Sequence, residues 1–326
     1  MAAAVAAMAR ADFSAAAEML SRAGDHPLAG RYRRKFAAKT LGAAEALARE
    51  AWETAVLPLG KEMADYDDAN ALLARLDKFA KDHATTKFAK SKEAEASRLS
   101  ILARKLIDES PEGQAVKVRE FFHGKVVKFD AKTRSIELLY DFDDPDQIKD
   151  CSLSEWVWSG KAAGSMKVKR GGLRLAGTGR YALLAPRFSS VSARTSFDAS
   201  AEKGVGHACL LVCANTKGSS YCLFGLDKWQ SAALIKYVAG KGDLFSRRPS
   251  PFSHTKRGWA SLTLSDCNLT GQVGPTRFAV RDNSHTIGQV GLWAPDTEVT
   301  FDNLSITGIL DRRWLEEEVL GKKKEQ

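Results

Sequence analysis

The sequence has few cysteines and none of the residue spacings that mark a metal centre, a redox pair or an activated nucleophile. Its five cysteines, Cys151, Cys209, Cys213, Cys222 and Cys267, are an odd number that cannot all pair within one chain. None stands in a Cys-x-x-Cys or mixed Cys/His ligand spacing. Free thiols and a reducing, cytoplasmic setting are therefore expected, with a place in a larger exported or membrane-linked protein as the alternative. Cys209 and Cys213, in "HACLLVCANT", are four residues apart. On a regular strand they would share a face, too far apart to bond, as small buried apolar residues. The six histidines, His26, His83, His123, His207, His254 and His285, form no His-x-His or His-Glu-x-x-His pair, and no Gly-x-Ser-x-Gly elbow is present. No catalytic residue, metal or cofactor is expected. No apolar run approaches the ~20 residues that span a bilayer. The alanine-rich start "MAAAVAAMARADFSAAAEML" lacks a basic leader and meets Asp12 and Glu18 early, so it reads as helix rather than export signal. Membrane insertion is not expected.

Charge is present in excess but not in a pattern. The formal net charge is +9, with 18 basic against 17 acidic residues in 1–115 and 31 against 23 in 116–326. The surplus is spread through the second part and includes Lys322, Lys323 and Lys324. No arginine-rich helix or aromatic-basic motif accompanies it, so nucleic acid is not an expected partner.

Composition divides the chain. Residues 1–112 are rich in Ala, Leu, Lys and Glu at helical spacing, and 113–326 shift to Gly, Ser, Thr, Val and Phe in short alternating runs. "DESPEGQA", Asp108 to Ala115, marks the boundary, with Pro111 and Gly113 as helix stops. In the helical part, Phe13, Ala16 and Leu20 recur as Tyr66, Ala69 and Leu73, one face of a helix on which Ala lets a neighbour approach. With a linker and a second helix after each copy, the layout resembles tetratricopeptide-like repeats. A plain pair of helical hairpins is the alternative.

Ten or more short runs follow, from "SIELLYDF" through "HACLLVCANT" and "WASLTLSD" to "TEVTFDNLSITG". Split by Gly, Asn, Asp and Ser, with no amphipathic helix between them, they predict an antiparallel two-sheet β-sandwich. The fold class is thus multidomain α plus all-β. The order of "YDF", "DDPDQIKD", "GGLRL" and "GQVGLWAPDTEVTFDNLSITG" resembles the concanavalin A-like lectin/glucanase jelly roll. It is similar to the laminin G-like and glycoside-hydrolase-16-like domains joined to repeat modules in large planctomycete-type bacterial proteins. The resemblance implies that Ser135–Phe142 lies beside Val299–Ile306 and that a short helix after the sandwich is capped by Asp311. The glucanases of this fold carry a Glu-x-Asp-x-x-Glu run that sets two carboxylates about 5.5 Å apart, and this sequence lacks it. Asp141, Asp143, Asp144, Asp146 and Asp150 cluster around Pro145 instead, as a solvated turn rather than a calcium loop or acid/base pair.

Trp156, Trp158, Trp229, Trp259, Trp293 and Trp314 lie in the β-rich part or its tail. Tryptophan stacks on sugar rings or packs in cores. Trp259 and Trp293, inside alternating runs, are expected in the core. Trp229, in the polar turn "LDKWQS", is not, and with Arg247, Arg248, Phe252 and His254 of the following loop it forms either a ligand-binding rim or a surface that packs on the helical part, since exposed aromatics and arginines mark both kinds of interface. The favoured function is a non-enzymatic interaction or scaffolding protein with a protein partner on its helical part and a glycan on the sandwich. A carbohydrate-binding protein and a divergent glycoside hydrolase are the alternatives. Finally, Val299 and Phe301 have one parity and Leu304 and Ile306 the other, which predicts a bulge at Asp302 and Asn303 and a structural role for Asp302.

Overall fold

The computed structural model describes residues 15, 18, 19, 22, 29–155, 165–176, 179, 181–198, 208–215, 217–226, 231–249, 257–294 and 297–322. The chain divides into two compact units, Met1–Gly113 and Gln114–Gln326.

In the first unit, α1 (Ala29–Ala51) continues through a π turn (Trp52–Val56) into α2 (Leu57–Glu62), followed by α3 (Tyr66–His83) and α4 (Lys87–Glu109). The helices begin where short polar side chains can take up orphan amides. Asp65 Oδ1 accepts from Asp68 N at 2.9 Å, and Thr86 Oγ1 accepts from Ala89 N at 3.1 Å. Glu45, on α1, accepts from the amides of Lys87 and Phe88 at 2.7 and 2.9 Å, so α1 caps α4. Those two amides hold the Glu45 carboxyl below its ordinary pKa. The buried stripe of α3 is Ala69, Leu72, Leu76 and Phe79, with Tyr66 and Leu73 half-buried at its edges. Trp52 meets Phe79 edge-on at 5.1 Å. The earlier copy of the repeat, Phe13, Ala16 and Leu20, lies outside the described residues. Among the described residues no helix is long and apolar enough to cross a membrane.

The expected helix stop at Pro111 is instead a helix start. Only Ser110 separates α4 from α5 (Pro111–Phe121), so "VKVREF" is helical and not the opening of the β-rich part. Proline fits the first helical turn because its missing N–H would be an orphan there, and Ser110 Oγ accepts from Gly113 N at 3.0 Å.

The second unit is a jelly-roll-like antiparallel β-structure. Its strands are β1 (Lys125–Asp130), β2 (Ser135–Tyr140), β3 (Cys151–Leu153), β4 (Ser165–Val168), β5 (Leu173–Ala176), β6 (Ala182–Asp198), β7 (Ala208–Ala214), β8 (Tyr221–Leu226), β9 (Ser231–Val238), β10 (Lys241–Pro249), β11 (Arg257–Ser265), β12 (Asn268–Val273), β13 (Thr276–Arg281), β14 (Gly288–Trp293) and β15 (Glu298–Leu310). One layer runs β1-β2-β15-β6-β11-β12-β13 and the other β6-β14-β7-β8-β9-β10. The long β6 serves both. Its first residues pair with β14 and its later ones with β15 and β11, and the register slips around Pro186, which has no amide to donate. Phe301, Ile306 and Leu262 from one layer and Leu210, Phe224 and Leu292 from the other share a single buried core. A second apolar cluster, with Tyr181, Tyr221, Tyr237 and Trp293, lies on the opposite face of the β7–β9 layer.

β15 pairs with β2, Leu304 opposite Tyr140 and Ile309 opposite Ser135, which places the implied neighbours together. Between Asp302 and Ser305 the register against β6 slips by one residue, and Asn303 takes φ +50°. Val299 and Phe301 are buried before the slip and Leu304 and Ile306 after it, the parity switch seen in the sequence. The Asp302 carbonyl accepts from Thr195 Oγ1 and Ser196 Oγ, both at 3.0 Å, which fastens the bulge to β6. Because Asn303 is exposed and left-handed, Asn303→Val should cost about 1–3 kcal/mol through backbone strain, while Asn303→Gly should be near neutral. Paired urea unfolding curves measure both.

A different bulge corrects an expectation. Cys213 takes φ +55°, and the β7–β14 register gains a residue there. Val212 and Cys213 therefore face the same core, while Cys209 belongs to the opposite cluster. The two cysteines do not share a face. After the sandwich, Asp311 Oδ1 accepts from Trp314 N at 2.9 Å and caps a short helical segment, α6 (Arg312–Trp314), that continues as a π turn to Val319.

Candidate functional site

Along β11, Ala260, Leu262 and Leu264 point into the core, and the other parity, Trp259, Ser261, Thr263 and Ser265, faces outward and is half-buried. Trp259 is thus not a core residue. Its strand places it with the hydroxyl side chains, because a pleated strand has only two faces and the aliphatic residues occupy the inner one. β6 repeats the pattern, with Ser192, Arg194 and Ser196 outward and Val191, Ala193 and Phe197 inward.

Register brings these outward residues into rows. Asp302 of β15, Ser196 of β6 and Trp259 of β11 are cross-strand neighbours, and the next row is Leu139, Ser305, Arg194 and Ser261. Beyond it, Ser192 and Thr263 share a hydrogen bond at 2.8 Å. The two rows enclose a groove lined by Leu139, Arg194, Ser196, Gly258, Trp259, Asn303 and Ser305. Gly258 precedes the indole, and the bulge at Asn303 forms the groove's wall. The Arg194 guanidinium sits over the Trp259 ring, 4.6 Å from its centroid. It fixes the ring by cation–π attraction and brings several N–H donors to the groove.

Beside the groove, and sharing Ser196, is a charged depression of about 360 Å³ lined by Lys169, Arg170, Arg174, Asp198, Glu298 and Asp302 among others. Arg170 stands at the tip of the β4–β5 hairpin, where Arg170 and Gly171 both have positive φ, as a two-residue turn of this hand requires. Arg174 is ion-paired with Glu298. Among the described residues the groove is lined by no carboxylate and no histidine. Its described side chains offer stacking and hydrogen bonding, and the nearest described carboxylate in the rows is Asp302, opposite Ser196.

Trp229, Phe252 and His254 lie outside the described residues, as do Trp156 and Trp158. Arg247 and Arg248 sit not on a loop but within β10, an edge strand, where Arg248 lies over Phe278 at 5.5 Å. Trp293 is buried. Of the acidic cluster, Asp141 and Asp144 make the turn contacts expected, accepting from Asp143 N and Asp146 N at 3.2 and 2.9 Å. Asp150 departs from that expectation, since it is 6% exposed. Its Oδ2 accepts from His123 N, Gly124 N and the Tyr140 hydroxyl at 2.9, 2.9 and 3.0 Å, and Oδ1 meets His123 Nδ1 at 2.8 Å. It is a structural anchor, buried because four donors converge on it.

A second buried carboxylate went unnoticed in the sequence. Asp282 lies with Cys222 and His285, residues from β8 and from the segment after β13. Burial works against its charge, but hydrogen bonds from Ser284, Lys236 and His285 outweigh it and hold the carboxyl well below the usual carboxylate range.

No family model and no curated protein matches the sequence. Solved structures align with about half of the chain. Carbohydrate-binding module CBM66 from Bacillus subtilis aligns with 49% of this chain and 93% of its own at 13% identity and a TM-score of 0.39. A Bacillus licheniformis β-glucanase aligns with 53% and 97% at 9% identity and 0.41. A Bacillus subtilis protein of unknown function with a galectin-like fold aligns with 53% and 96% at 9% and 0.43. These likenesses carry no inference about activity.

Proposed function

We propose that the second unit is a non-catalytic carbohydrate-binding module whose ligand lies on the outward face of the β2-β15-β6-β11 layer. The observation that carries this reading is Trp259: a half-buried indole on the solvent side of a sheet, in a groove, among hydroxyl and guanidinium groups. A sugar ring offers C–H groups on one face and hydroxyls at its edge. An aromatic surface flanked by Arg194, Ser196 and Ser305 matches both.

Retention in gels containing a panel of soluble polysaccharides tests the proposal. Trp259→Ala should weaken binding to the retained polysaccharide at least about tenfold, or ~1.4 kcal/mol. The rim reading makes the opposite assignment, in which Arg247→Ala with Arg248→Ala weakens binding and Trp259→Ala does not. A panel with no retained polysaccharide would remove the carbohydrate reading altogether.

The first unit supports a second reading. Ile101 and Leu102 are 64% and 45% exposed, and Leu102 borders a groove with Met63, Tyr66, Leu106 and Pro111. An apolar patch beside a groove suits a protein partner, the role that the helical part was expected to have.

A further inference from the structure

We propose that Cys222, Asp282 and His285 form a binding site for one transition-metal ion of the zinc type, independent of the sheet-face groove. All three residues are buried, and one donor atom from each lies within 4.8 Å of the others. Cys222 Sγ is 3.6 Å and His285 Nδ1 2.9 Å from Asp282 Oδ2. Bond lengths of about 2.3 Å to sulfur and 2.0–2.1 Å to nitrogen or oxygen put tetrahedral donors about 3.3–3.6 Å apart. The sulfur–oxygen pair already has that separation, and the nitrogen–oxygen pair needs to open by about 0.4 Å.

The atoms that do not converge are each held from outside. His285 Nε2 faces the Tyr237 carbonyl at 3.1 Å, an acceptor that fixes a hydrogen on Nε2 and turns Nδ1 inward. Asp282 Oδ1 accepts from Lys236 Nζ at 3.0 Å, Ser284 N at 3.1 Å and Ser284 Oγ at 2.5 Å, which leaves Oδ2 for the centre. Metal ligands are commonly oriented by outer contacts of this kind. A thiolate, an imidazole and one carboxylate suit zinc and its neighbours, whereas calcium and magnesium require many more oxygens.

Charge and proton balance are consistent. A divalent ion would displace the Cys222 thiol proton and the proton shared at His285 Nδ1, both released to solvent, and no oxidant is involved. The ion's two charges offset thiolate and carboxylate, and Lys236 keeps to the far oxygen. One tetrahedral position remains. A water molecule suits it, because an ion of the zinc type held by three protein donors takes its fourth from solvent.

The full chain, stripped with chelator and titrated with Co²⁺, decides the matter. The site predicts one equivalent bound, with a thiolate-to-cobalt charge-transfer absorption that surface histidines cannot produce. Cys222→Ser should abolish that band and weaken binding by about 100-fold or more. Should that variant not fold, the wild-type spectrum still decides. A chain that remains folded by circular dichroism but shows no charge-transfer band at excess cobalt overturns the proposal and leaves the three groups bridged by protons alone.

Discussion

Raising the pH past about 10 is expected to unfold the β-structured unit steeply. Tyr140, Tyr181 and Tyr221 are all 0% exposed. Burial pushes each phenol far above its ordinary pKa, with the nearby Asp150 charge adding to it at Tyr140. Tyr237 and the Cys151 thiol are each pushed up, by burial first, to about 12. In the unfolded chain phenols ionise near 10 and thiols near 8.5. Above those values the folded state therefore holds more protons than the unfolded one, and stability falls as pH rises. Their stabilising contribution is complete below the unfolded pKa values and lost as pH climbs towards the folded ones. Each buried phenol contributes a slope of about 1.4 kcal/mol per pH unit, so three give roughly 4 kcal/mol per unit against a total stability of about 5–15 kcal/mol. Urea midpoints measured from pH 7 to 11 should drop sharply above 10, with phenolate absorbance from these tyrosines appearing together with unfolding. Phenolate appearing at pH 10 in a chain that keeps its fold would show that the three hydroxyls are not sealed.

The second large effect is expected from Asp150→Ala. The carboxylate binds together the exit of α5, through the His123 and Gly124 amides, and β2, through the Tyr140 hydroxyl. Alanine would leave these donors in the core without an acceptor, and a buried group stripped of its partner costs far more than one interaction gains. A loss of about 3–5 kcal/mol is expected, read from chemical unfolding. Asp150→Asn keeps one acceptor oxygen but turns an amide towards donors, and should fall between the two. An Asp150→Ala chain with wild-type stability would mean that water replaces the carboxylate at no cost.

How far the sequence was legible depended on whether polar residues marked the strand faces. The bulge in β15 could be read because Asp302 and Asn303 interrupt an alternation whose apolar members then change parity. The bulge in β7 could not. That strand is buried on both faces, and "CLLVC" contains no polar residue to show that the phase slips at Cys213. Trp259 illustrates a signal that was present but outweighed. Its parity partners in "GWASLTLS" are Ser261, Thr263 and Ser265, and alternation alone assigns the indole to the hydroxyl face. Its place inside an alternating run suggests the core only if the parity of its neighbours is left out. Pro111 is ambiguous in the sequence, because proline ends helices but is equally suited to begin one. Cys222 comes to Asp282 and His285 only through the tertiary fold, from some 60 residues away in sequence, so no local spacing could reveal the three together.

The central claim is that a sugar rests on the Trp259 face. Labelling the chain with 5-fluorotryptophan gives each indole its own fluorine signal, and Trp259→Phe assigns the one that matters. Titration with an oligosaccharide of the polysaccharide retained in the gels should produce a saturable shift of the Trp259 signal, with buried Trp52 and Trp293 unmoved. Saturable binding with the Trp259 signal unchanged would contradict the account and place the ligand elsewhere on the chain.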